Sequence, residues 1–470
     1  MAVSADAPRG RHRNGGHHGA RVELAGDSRR HTVSVRLAND VHILPARGNG
    51  MDPHAFRADV AAAAASLPGK CELLNLCEDR CSFLVLFAAA LSMRRTVLLP
   101  PSRAPAAIAE LRSLYPDSAT VDDSFVASSC QPPFDLDPCE ADFVAAIGHT
   151  SGSTGRPGAH AKSFRSLAAT TALNAGVLRA ELDRQGRIGR PWIVATVPPQ
   201  HMYGLELSVL LPLLAGFGLH GGRPLLPADV AAALSDVRPP RVLVSTPVHL
   251  RALLESGTEF PDIAIVVSAT APLGVELARL VEQRLGAALI EMFGSTETCV
   301  IATRRTAMRE CWLPYPGVCL EPAGSGTTVR APWLPQAVLL HDILAPGPGG
   351  TFEVIGRQAD VIEIAGKRAS LADITRRIAR LPGVKDAHVF RPAAQNGAGV
   401  PRCAALVVAP GLAAQAILAL LRREIDEAFL PRPLVVVDEL PRNEIGKLPV
   451  ERAQALLARA IAASPRHPGK

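Results

Sequence analysis

Phe143-Val-Ala-Ala-Ile147 runs straight into Gly148-His-Thr150-Ser-Gly-Ser-Thr-Gly-Arg-Pro157. The first five residues have the composition of a buried strand. In the turn that follows, Gly152 and Gly155 permit tight backbone bends, while Thr150, Ser151, Ser153 and Thr154 offer hydroxyls and amides. Such a density of small donors suits phosphate oxygens, as backbone nests do. It is not a Walker loop, because no Gly-Lys-Ser/Thr follows at the required spacing. A bare Ser/Gly turn reads equally well as a flexible loop, and its position directly after a strand favours phosphate binding.

The same arrangement recurs downstream. Trp192–Val197, Val242–Ser245, Ile263–Val267 and Ala288–Met292 read as strands, each followed by a polar turn, with helices expected at Leu205–Leu214 and Leu273–Leu285. Alternation of this kind predicts an α/β fold whose large N-terminal domain has mostly parallel sheets flanked by helices. Such folds place ligands at the carboxyl ends of their strands. Beyond Gly356 the pattern becomes a small, mobile α+β unit. Its strands are expected at Val361–Ile364, Ala404–Val408 and Leu434–Val437, and a helix over 412–430 would carry Ile417, Leu421, Ile425 and Phe429 on one stripe. The expected division is a basic tail over 1–32, a nucleotide-binding domain over 33–355 and a C-terminal domain over 356–470, with a hinge at 356–360.

The chain has 470 residues, a formal charge of +6 and 48% hydrophobic residues, enough for two large cores. Its first thirty residues hold six Arg against Asp6, Glu23 and Asp27 and lack an apolar period, so they read as a solvated tail. The remainder is near balance, which argues against a broad nucleic-acid-binding surface. The longest apolar run, Ser82 to Met93, is too short to span a bilayer. Nine cysteines form no C-x-x-C pair, and buried reduced thiols in a cytoplasmic protein are expected.

Three further motifs carry chemistry. Phe293-Gly-Ser-Thr-Glu297-Thr298 follows a strand: Phe293 could stack on a base, Thr296 could bond a phosphate and Glu297 could hold Mg²⁺. Asp342, Gly356-Arg357-Gln-Ala-Asp360 and Gly366-Lys-Arg368 gather charges near the domain junction that could grip a ribose. Pro441-Arg-Asn-Glu-Ile-Gly-Lys447-Leu-Pro449 presents one Lys after a Gly. Singly, each has a plainer reading as a structural turn, a surface ion pair or a solvated lysine.

In this order and at these separations the four motifs resemble the acyl-adenylate-forming superfamily of acyl- and aryl-CoA ligases, nonribosomal adenylation domains and luciferases, over about residues 35–460. The resemblance implies ATP and Mg²⁺ as cofactors and coenzyme A or a carrier-protein phosphopantetheine as thiol acceptor. The 150–157 loop would hold the β- and γ-phosphates, Phe293 the adenine, Thr296 the α-phosphate, Glu297 the metal, and Asp342 with Arg357 the ribose. Lys447 would bridge the attacking carboxylate and α-phosphate, and His201 would line the acid pocket and gate pantetheine. Tyr203, Ser268, Thr270 and Thr298 would border that pocket.

Four features depart from the family pattern. Gly158 stands where a Lys usually follows the loop's Pro, the nearest being Lys162. Phe293 replaces the usual Tyr, Ala359 replaces the usual charged hinge residue, and the N-terminal portion is short. Two of these, the missing Lys and Ala359, leave open an impaired nucleotide- or acyl-binding protein. Gly155-Arg-Pro-Gly-Ala-His-Ala-Lys162, Pro198-Pro-Gln-His-Met-Tyr-Gly-Leu-Glu206 and Asn75-Leu-Cys-Glu-Asp-Arg80 are similar to bacterial ligases of aryl polyene and xanthomonadin-type pigment pathways. That likeness implies an aryl or acyl acid as substrate and an acyl carrier protein as partner.

Overall fold

The apolar run after Arg80 forms a helix, Arg80–Ser92, buried on nearly every side. Asp79 begins it by accepting the Ser82 amide at 2.8 Å, and Phe83, Leu84 and Phe87 fix it between two sheets. The computed structural model describes residues 34–35, 41–44, 50–68, 72–101, 103–125, 139–140, 142–150, 158–324, 326–357, 361–364, 367–392, 402–443 and 446–463.

One sheet has five strands in the order Ala119–Val121, Leu73–Asn75, Val97–Leu99, Val144–Thr150 and Gly158–Ser163. All neighbours are parallel except the last pair, which forms an antiparallel hairpin. The second sheet has eight strands, of which Ala288–Ser295, Ile265–Ser268, Arg241–Ser245, Trp192–Ala195, Gly218–His220 and His42–Leu44 run parallel. Cys299–Arg304 and Leu313–Pro314 extend it in antiparallel fashion. Ile265, Val267 and Ala269 face the core shared with the first sheet, whereas Val266 packs with Val230, Leu250 and Val281 of three outer helices. This is the expected mostly parallel α/β domain, and burial on both faces explains the continuous apolar strands.

The C-terminal residues enclose their own core of Ile362, Ile374, Ile378, Val407, Ile417 and Leu421. Its sheet orders Asp386–Phe390, Ala404–Val408 and Leu434–Val436, with helices Leu371–Ala379, Ala414–Leu421 and Val450–Ala463 around it.

Two helices differ from expectation. The stripe over 412–430 is helical only from Ala414 to Leu421. The chain then turns, and Phe429 reaches the same core from a short 3₁₀ turn, Glu427–Phe429, with its amide on the Asp426 carbonyl at 3.0 Å. The next strand pairs parallel to Ala404–Val408, so the crossover has to reverse direction within a few residues. The helix expected at Leu205–Leu214 starts at Met202, widens to a π-turn over Glu206–Leu210 and resumes as Leu211–Ala215. Pro212 lacks the amide that would bond the Ser208 carbonyl and its ring crowds that carbonyl, which favours the wider turn.

Candidate active site

The hairpin Val144–Thr150 and Gly158–Ser163 supports the phosphate-loop motif, whose residues Ser151, Gly152, Ser153, Thr154 and Gly155 lie outside the described residues. At the end of the first strand, Thr150 Oγ1 lies 3.2 Å from His160 Nε2. A Cβ on Gly148 would stand 2.5 Å from the Thr296 Cγ2 methyl. The absent side chain thus lets Thr296 lie directly on the strand that leads into the loop. Two motifs almost 150 residues apart meet there.

Phe293 is part of the strand Ala288–Ser295 rather than of a following loop. Its half-buried ring lies 5.3 Å from Trp312 and 5.6 Å from Phe352, so it belongs to an aromatic cluster. The ladder shifts register between Phe293 and Gly294, where a side chain on Gly294 would strike the Cys299 carbonyl. The turn after it carries Thr296, Glu297 and Thr298 and closes at Cys299, a non-glycine residue with φ of 61°. Glu297 Oε1 stands 3.5 Å from His160 Nε2. Burial works against the Glu297 charge, but hydrogen bonding from Ser295 and the nearby His160 and Lys162 outweigh it and hold its pKa below the usual range. An ionised carboxylate on a polar turn fits Mg²⁺, which takes few protein ligands and completes its shell with phosphate and water.

Three buried side chains to which the motifs assigned no role grip this turn. The Lys162 ammonium donates to the Glu297 carbonyl, Glu206 Oε2 accepts the Val300 amide at 3.2 Å, and Trp333 Nε1 donates to the Thr298 carbonyl at 3.0 Å. Glu206 also accepts from Asn174 at 3.4 Å, and Asn174 accepts from the Tyr315 hydroxyl at 2.7 Å. Desolvation lifts the Glu206 pKa to about 7 despite the Val300 amide, Asn174 and Lys162. The alternation Gly158, His160, Lys162 along one strand face was the available signal for the lysine.

His201 begins the helix Met202–Leu205, its Nδ1 accepting the Tyr203 amide at 3.3 Å. Desolvation and then the Lys447 charge pull its pKa to about 4, so its imidazole is neutral at physiological pH. The Tyr203 hydroxyl is engaged by the Ser245 and Val267 carbonyls, at 3.1 and 3.0 Å. Thr270 adopts φ of 76° just past the strand Ile265–Ser268. Ser268 does not join Tyr203. It is fully buried, lies in register with Ser245 and Glu291, and shares the sheet face of Val266 on the outer-helix side. Thr298 is fully buried, with its hydroxyl on the Cys299 carbonyl at 2.9 Å.

The Lys447 loop sits against this face. Asn443 and Lys447 exchange bonds, Asn443 N to Lys447 O at 2.7 Å and Lys447 N to Asn443 Oδ1 at 2.8 Å. Gly446, at φ of 78°, brings the backbone to within 3.2 Å of Val248 Cγ2 for a notional Cβ. Its Lys447 side chain is exposed. Asp342 and Arg357 are directly opposed in the hairpin Asp342–Pro346 and Phe352–Arg357. That ladder runs through Gly356, so of the hinge expected at 356–360 two residues are strand, and Gln358, Ala359 and Asp360 lie outside the described residues.

The family profile described as AMP-binding enzyme matches residues 77–324, more than half of the chain, and the protein belongs to that family. Among curated relatives, 4-coumarate–CoA ligase of Halorhodospira halophila is 26% identical over 318 residues, covering 64% of this chain and 73% of that one. A probable 2-succinylbenzoate–CoA ligase of Mycobacterium tuberculosis is 28% identical over 350 residues, covering 66% and 84%. The solved o-succinylbenzoate CoA synthetase of Bacillus subtilis, in complex with its acyl-adenylate intermediate, superposes with a TM-score of 0.70 at 18% identity over 89% of this chain and 95% of that one. At that identity the likeness shows the fold. None of the described helices is long and apolar enough to cross a membrane.

Proposed function

We propose that the protein joins ATP and a carboxylic acid into an acyl-adenylate, releasing pyrophosphate, and then passes the acyl group to a thiol. The observation that carries this reading is the docking of the Lys447 loop, through Gly446, against Val248 and Ala271, residues that follow the carboxyl ends of Arg241–Ser245 and Ile265–Ser268 as Thr296 and Glu297 follow that of the parallel neighbour Ala288–Ser295. When carboxylate attacks α-phosphorus, negative charge builds where two anions already repel. A lysine aimed there stabilises the transition state more than the ground state. Mg²⁺, held by Glu297, would supply further charge neutralisation. Thr296 would orient the α-phosphate, Phe293 would cover the adenine, and Asp342 with Arg357 would hold the ribose. The 150–155 residues would cradle the outer phosphates. His201, Tyr203, Thr270 and Thr298 would border the acid.

The relatives' names favour an aromatic or aryl-substituted acid. The acceptor is coenzyme A or the phosphopantetheine of an acyl carrier protein, and the chain divides into a nucleotide-binding domain over 33–355 and a C-terminal domain over 356–470. Unpaired thiols at Cys77, Cys81, Cys299, Cys311, Cys319 and Cys403, the first three and the last of them buried, suit the reducing cytoplasm.

Pyrophosphate release measured across aryl and fatty acids without any acceptor tests the first half-reaction. Lys447→Ala should lower that rate about 10²–10³-fold, in line with the loss of one preorganised charge. Thiol transfer from supplied acyl-AMP should stay within a few-fold of wild type. Unchanged pyrophosphate release in the variant would refute the role of Lys447.

A further inference from the structure

The lysine that the sequence lacks after Pro157 leaves a question of what orders the metal-nucleotide turn. The antiparallel hairpin supplies a cation from another direction. Along Gly158–Ser163, Ala159 and Ala161 are exposed while Lys162 is 4% exposed. A lysine buried to that degree needs a partner. Its ammonium donates to the Glu297 carbonyl, 135 residues away in sequence. The same turn is gripped at Thr298 by Trp333 and at Val300 by Glu206. It therefore closes through a left-handed Cys299, which costs a non-glycine residue about 1 kcal/mol or more and persists only when its surroundings fix it.

We propose that Lys162 is a positioning residue for the metal-nucleotide turn: by holding the Glu297 peptide from beneath, it aims the Glu297 carboxylate and the Thr296 hydroxyl at the metal and phosphates. It thus compensates for the missing loop lysine without touching phosphate itself. Three observations agree. The ammonium meets a backbone carbonyl, a contact that sets the direction of the peptide. His160, two residues away on the same strand face, meets the Glu297 carboxylate itself, so one strand orients both ends of the residue. Thr296, next in the chain, is seated on Gly148 of the partner strand. The hairpin and the turn consequently move as one unit.

The inference rests on the adenylation reading only for its consequence in catalysis, because nucleotide binding reads it separately. Lys162→Met preserves length and burial but removes the charge and donors, and Lys162→Arg restores both. In isothermal titration calorimetry with Mg·ATP, the Met variant should bind at least tenfold more weakly and the Arg variant within about threefold of wild type. In pyrophosphate release, KM for Mg·ATP and the Mg²⁺ midpoint should rise in the Met variant, with KM for the acid unchanged. A merely structural lysine would lower the melting temperature or the yield of active enzyme and leave the Mg²⁺ midpoint where it was. Unaltered Mg·ATP affinity in the Met variant overturns the proposal, as does an Arg variant no better than Met. Should the Met variant not fold, the Arg variant decides: Mg·ATP affinity and a Mg²⁺ midpoint within about threefold of wild type support the proposal, and a larger loss of either at an unchanged melting temperature overturns it. If the wild type binds Mg·ATP but releases no pyrophosphate with any acid, the adenylation reading fails while the binding comparison still judges Lys162.

Discussion

Glu206 places a carboxylate where desolvation outweighs all its stabilising contacts, so its pKa stands at about 7 instead of the 4.5 of a free side chain. The sign of the consequence follows from proton counting. Below pH 4.5 the group is protonated in both folded and unfolded chains. Between 4.5 and 7 the unfolded chain gives up its proton and the folded chain keeps it, so stability falls as pH rises. A shift of that size corresponds to about 3 kcal/mol between pH 4 and pH 8. Glu206→Gln keeps an acceptor for the Val300 amide and removes the titration. Urea unfolding should therefore show the variant gaining on wild type by about that amount as pH rises, and parallel stability profiles would refute it. At this scale the sequence was legible only where chemistry is local. Thr296, Glu297 and Lys447 could be named as candidates because each stands in a short motif. Lys162 and Glu206 act on backbone atoms 135 and 94 residues away, a relation that only the hairpin and the π-turn create.

The strand Val144–Thr150 joins two motifs, and Gly148 is the residue that lets it do so. An alanine there would place its Cβ 2.5 Å from the Thr296 methyl, well inside van der Waals contact. Thr296 is β-branched and stiff at χ1, so it has to move with its backbone. Gly148→Ala should weaken Mg·ATP binding roughly 10- to 100-fold while the melting temperature drops only modestly, since the residue struck, Thr296, stands on a turn that can give way; binding titrations beside thermal unfolding check both halves. The strands were readable because runs such as Ile265-Val-Val267 are buried on both faces and flanked by polar turns. The helices were less so. The apolar stripe through Ile425 and Phe429 reported burial correctly but not conformation, because a 3₁₀ turn delivers Phe429 to the same core. Pro212, plain in the sequence, was the cue for the widened turn over Glu206–Leu210 that an unbroken helical reading passed over.

Across the whole molecule, the proposed function requires the Lys447 loop to reach the first domain for adenylation and to leave room for a long thiol arm afterwards. Among the described residues two ion pairs cross between the domains, Arg380 with Glu310 at 3.4 Å and, next to the lysine loop, Arg251 with Asp386. Asp386 is forked by Arg442 of the lysine loop, at 2.9 and 2.8 Å, and the same carboxylate stands 4.0 Å from Arg251 on the helix Pro247–Glu255 of the large domain. The Arg442 contact lies within the small domain and survives any rotation, whereas the Arg251 contact exists only while the domains are docked this way. Arg251→Ala should therefore favour departure of the small domain. A partly exposed pair contributes up to about 1 kcal/mol, so pyrophosphate release should slow by no more than roughly fivefold. Thiol transfer from supplied acyl-AMP should be unchanged or slightly faster. Asp386→Asn should do more, because it also loosens Arg442 and with it the loop that presents Lys447. Raised salt should shrink the Arg251 effect by screening the pair. Equal slowing of both half-reactions in Arg251→Ala would mean that the residue supports its helix and not the docked state, and stopped-flow measurement of each half-reaction separates the two outcomes.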